Sequence, residues 1–259
     1  MGTTFTETGA ITQYVDVAQL VLYVFWGFFA GLIYYLLREN HREGYPMDAG
    51  RDPGPTQEGW PPVPEPKRFE MHDGQVFLSP DIHRPDGDYS AAPAHRFNGA
   101  PLEPVGDPLL AGVGPGAWAA RADVPDMTHH GEVKIVPLRV ASDHGIASRD
   151  TDPRGLPVFD AAGDEAGTVL DMWVDRAEMM FRYIELQPRG ASQPVLLPIN
   201  FGVIKADGVH VHALYAHQFA NVPKTRSPEK VTFLEEEKIM AYYGAGLLYA
   251  DPDRQEPLV

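Results

Sequence analysis

The run VAQLVLYVFWGFFAGLIYYLL, Val17–Leu37, sets the architecture of this chain. It holds 21 residues without a formal charge. At ~1.5 Å rise per residue a helix of this length spans ~31 Å, which matches the ~30 Å hydrocarbon core of a bilayer. Four aromatic residues fall between Tyr23 and Phe28, and Tyr34 and Tyr35 stand where a headgroup belt is expected. A cleavable secretory leader calls for a basic start and a small-residue cleavage site. Here no Lys or Arg precedes Arg38, and Glu7 and Asp16 are acidic. A buried core helix would be shorter and keep a polar stripe. The pattern predicts a single transmembrane helix over residues 15–37, preceded by a short tail at 1–14.

The flanking charges set an expected orientation. Arg38, Glu39, His41, Arg42 and Glu43 crowd in directly after the run, and nothing basic lies before it. The positive-inside rule then places the tail in the periplasm and everything after residue 37 in the cytoplasm. That leaves ~220 residues, enough for one good hydrophobic core.

Composition narrows the function classes. With 36 Asp and Glu against 21 Lys and Arg, the formal charge is −15, which argues against a nucleic-acid partner. It also means that net charge does not draw the domain onto anionic lipid. The chain has no cysteine, so disulfides and thiolate metal sites are excluded. No G-x-S-x-G, H-E-x-x-H or P-loop pattern occurs, which ranks a tethered hydrolase last.

Of 25 prolines, 16 fall between Tyr45 and Pro137. That density disfavours long helices and central strands. Trp60, Phe69, Phe77, Phe97 and Trp118 recur through the same stretch, which a disordered linker tends to lack. Residues 38–134 are therefore expected to form an extended strap pinned by aromatics to another surface. From Ile135 the chain changes to short β-rich runs separated by turns such as Ala162-Gly163-Asp164 and Ala206-Asp207-Gly208. Residues 135–259 are expected to be a mainly-β domain, a small antiparallel barrel or sandwich. Thr232 followed by Glu235 fits a capping box that opens a short C-terminal helix through EEEKIMAYY, with Gly244 past its end.

Several long motifs carry a resemblance. FFAGLIYYL-x-x-EN-x-REGYP (Phe28–Pro46), GDPLLAGVGPGAW (Gly106–Trp118), DPRGLPV, GTVLDMWVDRAEMMFRYIEL (Gly167–Leu186), FANVP and EEEKIMAYYGAGLLYA (Glu235–Ala250) are similar to the H subunit of the purple-bacterial photosynthetic reaction centre. The resemblance runs nearly the whole chain. It implies a PRC-type barrel in the β domain and a location in the bacterial inner (intracytoplasmic) membrane. It also implies a non-catalytic subunit that caps the L and M subunits on the cytoplasmic face. Core antenna polypeptides and a cytochrome subunit are further possible partners. The bacteriochlorophyll, bacteriopheophytin, quinones and non-haem iron of such a complex belong to its other chains; this chain is expected to bind none alone. A membrane-anchored adaptor gripping a soluble partner is the competing reading, and the aromatic strap counts against it.

The resemblance further implies proton delivery to the secondary quinone, which needs titratable groups within hydrogen-bonding reach of one another. Two clusters offer them. In the first, Asp175 closes a strand, Glu178 lies in the turn and Arg182 follows in the returning strand. The resemblance makes Glu178 the carrier, with Asp175 raising and Arg182 lowering its pKa. The second contains Asp126, Thr128, His129, His130 and Glu132. In the family, the histidine matching His130 belongs to a proton-entry cluster that can take a divalent metal, with partners two residues away on either side. Thr128 and Glu132 occupy those places here, so proton entry through His130 and Glu132 is expected and strong metal binding is not. His210 and His212 share a strand face at a spacing that metals can use, but a solvent face or partner contact fits better. Arg42, Tyr45, Tyr34 and Tyr35 are expected at a lipid or partner surface. Glu235, Glu236 and Glu237 suit a helix N-terminus without further role.

Overall fold

The computed structural model describes residues 16–43, 60–81, 89–96 and 100–255. The tail at 1–14, Tyr45 and Phe97 lie outside them. The chain divides into two compact units, residues 1–85 with 96–100, and residues 86–95 with 101–259.

In the first unit, α1 (Val17–Arg42) starts where Asp16 accepts the backbone N–H of Gln19 at 2.7 Å, satisfying one of the unpaired donors of the first turn. Its apolar side chains are exposed around the whole circumference, and it is long and apolar enough to cross a membrane. The helix continues five residues past the apolar run at Leu37, so Arg38 to Arg42 form its polar last turn. The first unit also holds a hairpin, β1 (Lys67–Glu70) with β2 (Val76–Ser79), whose turn is closed by Asp73 and by Gly74 at φ 83°.

The second unit opens with a short ladder of β3 (Ala91–Pro93) and β4 (Leu102–Pro104). Then come β5 (Ile135–Pro137), β6 (Pro157–Phe159), β7 (Glu165–Asp175), β8 (Met180–Pro188), β9 (Val195–Pro198), β10 (Gly202–Lys205) and β11 (Gly208–Val211). These form one seven-stranded sheet in the order β10-β11-β6-β7-β8-β9, with β5 added against β7. Two expectations are corrected here. The sheet is not closed into a barrel: a 3-10 turn at Ile199–Phe201 joins the two edge strands β9 and β10 without a ladder between them. Nor is it wholly antiparallel, because β11 runs parallel to β6. The mainly-β class and the C-terminal helix stand.

The helix α2 (Phe233–Tyr249) opens on the expected capping box: Thr232 Oγ1 accepts Glu235 N–H at 3.1 Å, and the Glu235 carboxylate accepts Thr232 N–H at 2.9 Å. It does not end at Gly244. That glycine lies inside the helix, where a Cβ would sit 2.8 Å from the carbonyl oxygen of Pro115. The second half of the proline-rich stretch packs against the core and α2. Leu109 belongs to the main core, and the turn at Gly114–Gly116 packs on α2. Trp118 lies under Lys238, with the ammonium 4.6 Å from the ring centre. Trp173, Ile184, Leu186, Leu197, Phe219, Tyr242 and Tyr243 fill that core between sheet and helix.

Candidate functional site

The turn from β7 to β8 is built by Asp175. Its side chain is buried (1 % exposed), and Oδ1 accepts the N–H groups of Ala177 and Glu178, both at 3.0 Å. Met179 closes the turn with φ 55°, its N–H donating to Asp175 O at 2.8 Å. Few side chains other than glycine, Asn or Asp take this left-handed conformation, so the Asp175 bonds hold the turn in place. Glu178 is thereby set at the rim, 53 % exposed.

Asp175 Oδ2 faces Lys134, a residue that sequence reasoning left out. Lys134 Nζ lies 3.2 Å from Glu178, 3.3 Å from Asp126 and 3.4 Å from Asp175. The ammonium is half-buried. Its hydrogen bond with Glu178 raises its pKa against the opposing effect of burial, with Asp126 and Asp175 adding to the rise. Lys134 is positioned from both sides of its backbone: its N–H donates to Asp126 O at 2.8 Å, and its carbonyl accepts Arg176 N–H at 3.0 Å.

Arg176, also unforeseen, joins the second cluster. Its guanidinium donates to Val133 O and pairs with Glu132 at 3.3 Å. In the loop above, Thr128 N–H donates to Glu132 O at 2.7 Å and Glu132 N–H to Thr128 Oγ1 at 3.2 Å. His130 is exposed at the tip of this loop, its ring 5.5 Å from that of His129. The two clusters read separately in sequence thus form one face, stitched by Lys134 and Arg176. The available signal was charge: four acids lie in these segments, and Lys134 and Arg176 are the cations nearest to them in sequence.

Arg182 does not join this face. Tyr183 lies opposite Trp173 and Phe181 opposite Val174, so Arg182 is the extra residue of a β-bulge. Its guanidinium reaches Glu236, 4.0 Å away, to which Tyr183 also donates at 2.7 Å. Burial raises the Glu236 pKa, and burial followed by the Glu236 charge raises that of Tyr183. These groups line a cleft of about 510 Å³ together with Arg121, Asn200 and Met240. Glu236 is therefore more than a helix-start carboxylate.

The remaining candidates take local roles. His210 pairs with Asp207 at 3.2 Å and stacks on Phe159, while His212 is exposed just past β11. Arg42 pairs with Glu39 at 3.2 Å, which also holds Lys67 at 2.5 Å. Tyr34 rests against Trp60 with ring centres 5.2 Å apart, and Tyr35 is exposed.

Chemically, the Lys134 face offers carboxylates at graded depth in hydrogen-bonding contact with one cation, leading from an exposed imidazole loop to a buried aspartate. Such a set can accept, hold and release protons. Residues 9–140 match the family model for the photosynthetic reaction centre H-chain N-terminal region, and residues 146–218 match that for the PRC-barrel domain. The first match alone spans just over half of the 259 residues. This chain therefore belongs to the photosynthetic reaction centre H-chain family, a family of structural rather than catalytic subunits.

Proposed function

We propose that this chain caps the L and M subunits of a bacterial reaction centre on the cytoplasmic side and conducts protons toward the secondary quinone. In this reading α1 spans the membrane with the second unit in the cytoplasm. Bound quinone supplies two-electron redox chemistry that consumes two protons per turnover; it and the pigments are held by the partner chains. The present chain moves protons. His130 and Glu132 collect them at the exposed loop, Asp126 and Glu178 carry them, and Lys134 keeps the carboxylates within reach of each other. Asp175 is a positioning residue that fixes the turn carrying Glu178.

The observation that supports this most is Lys134 Nζ within 3.4 Å of three carboxylates drawn from two sequence-distant segments. Glu178→Gln tests it in the intact complex. The second proton-coupled electron transfer after a flash should slow by on the order of tenfold to a hundredfold, while primary charge separation keeps its rate. Kinetics equal to the unmodified complex at both steps would remove Glu178 from the route.

A further inference from the structure

The hairpin of β1 and β2 has no use in the proton route, and it is unusual in having no inside. All eight of its strand residues are exposed, including Phe69 (50 %) and Phe77 (55 %). Phe69 lies directly opposite Phe77, and Lys67 opposite Ser79, so Lys67 shares the Phe face. Val76 and Leu78 occupy the other face beside Arg68 and Glu70, which pair at 3.3 Å. A two-stranded ladder with both faces wet is marginal in water, so something apolar must cover it.

Its location indicates what does. Lys67, at the start of β1, is bonded to Glu39, two residues past the apolar run of α1. Trp60, a few residues earlier, lies on Tyr34 near the end of that run and is itself largely exposed. Both ties place the hairpin at the depth where the span leaves the hydrocarbon. Aromatic rings with Lys and Arg beside them suit this zone, since the rings bury in the acyl boundary while the ion pairs Lys67–Glu39 and Arg68–Glu70 stay in the polar headgroup layer. The backbone suits it too. Among the described residues no third strand pairs with either edge of the ladder, and water and headgroups can satisfy such edges where hydrocarbon cannot.

We infer that the β1–β2 hairpin is an interfacial anchor that inserts its Phe69–Phe77 face into the headgroup region of the bilayer, beside the end of α1. This rests on the reading of α1 as a membrane span. The anchor gives the acidic chain a lipid contact that does not depend on net charge, and it fixes the angle at which the chain leaves the helix.

The absence of cysteine makes the test direct. Phe77→Cys and, separately, Phe69→Cys would be spin-labelled in the intact complex, reconstituted into vesicles of phosphatidylcholine with a minor share of phosphatidylglycerol. The unsubstituted complex, labelled in parallel, gives the background. Nitroxides at both positions should collide with oxygen several-fold more often than with a water-soluble nickel chelate. Leu78→Cys, on the opposite face, should show the lower ratio. A label at Phe77 that meets the chelate as freely as a water-exposed site, or one shielded from both reagents by a polypeptide, overturns the inference. Phe28→Cys, within α1, separates the two readings. If it meets the chelate freely, the span itself is wrong; if it is protected while Phe77 is not, only the anchor fails.

Discussion

Replacing Arg139 with Met should destabilise the β unit far more than loss of an exposed cation normally does. Arg139 follows β5, and Nη1 lies 3.1 Å from Asp171 and 2.6 Å from Glu185, which face each other across β7 and β8. Both acids are buried, at 5 % exposure. Burial works against the charge of Arg139, but Glu185 and then Asp171 outweigh it and hold its pKa raised. Nη2 also donates to Pro228 O, and Glu185 in turn accepts Trp173 Nε1–H at 2.8 Å. Met keeps the aliphatic stem and removes only the charged fork, which leaves two like charges buried together. Breaking a buried pair costs ~3–5 kcal/mol. The Arg139 side chain is itself 40 % exposed, so water offsets part of the loss and the low end applies, ~3 kcal/mol.

Urea unfolding of the full chain in mild detergent, followed by near-ultraviolet circular dichroism, measures this. With a slope of ~2 kcal/mol per molar, the midpoint should fall by ~1.5 M. Adding Glu185→Gln to Arg139→Met should recover part of the loss, because the second substitution removes one of the two uncompensated charges and their mutual repulsion. A single-variant loss within ~0.5 kcal/mol, as for an ordinary surface site, would refute the reasoning. So would a double variant in which the two losses simply add.

Three further outcomes are expected. The pKa of Glu236 is raised in the folded chain above its ordinary 4.5, so the folded state binds the proton more tightly than the unfolded one, and stability declines as pH rises above 4.5 through the folded value. Glu236→Gln should flatten that slope in thermal melts taken across this pH range; an unchanged slope would exclude Glu236 as its source. Gly244→Ala, which in an ordinary helix would gain ~1 kcal/mol, should instead cost ~1–3 kcal/mol because the added Cβ meets Pro115 O; a higher melting temperature would contradict this packing. Thr232→Ala removes the N-cap of α2 and a 2.8 Å bond to Asp123, and should cost ~1–2 kcal/mol by urea titration, with Thr232→Ser retaining most of the stability.

How much of this was legible in the sequence depended on whether the deciding interaction was local. The apolar run read as one helix because hydrophobicity is additive along a segment, and the start of α2 read correctly because Thr232 and Glu235 cap each other within one turn. The site turn was equally local, since Asp175 caps Glu178 three residues on. Arg182 was grouped with Asp175 and Glu178 because it follows them closely in sequence, but the bulge at that residue turns it toward Glu236. Lys134 stayed unassigned because its carboxylates lie 8 residues before it and 41 and 44 after it, separations that periodicity does not reach. Gly244 misled for a similar reason: a glycine that ends a helix and one that admits a neighbouring carbonyl look identical in sequence.

Two clusters in the second unit each share one cation among several acids, and they differ in how far those acids are open to solvent. Arg139 serves two carboxylates, a local balance of −2 + 1 = −1, with both acids buried. The Arg139 guanidinium and the Trp173 indole hold these acids within the sheet, so their charge is structural. Lys134 serves three, −3 + 1 = −2, and only Asp175 is sealed; Asp126 is partly open and Glu178 more than half exposed. The surplus negative charge there is reachable from solvent on one side and anchored on the other. On the proposed reading, this gradient of exposure around a single ammonium is the feature that would let protons pass from solvent inward.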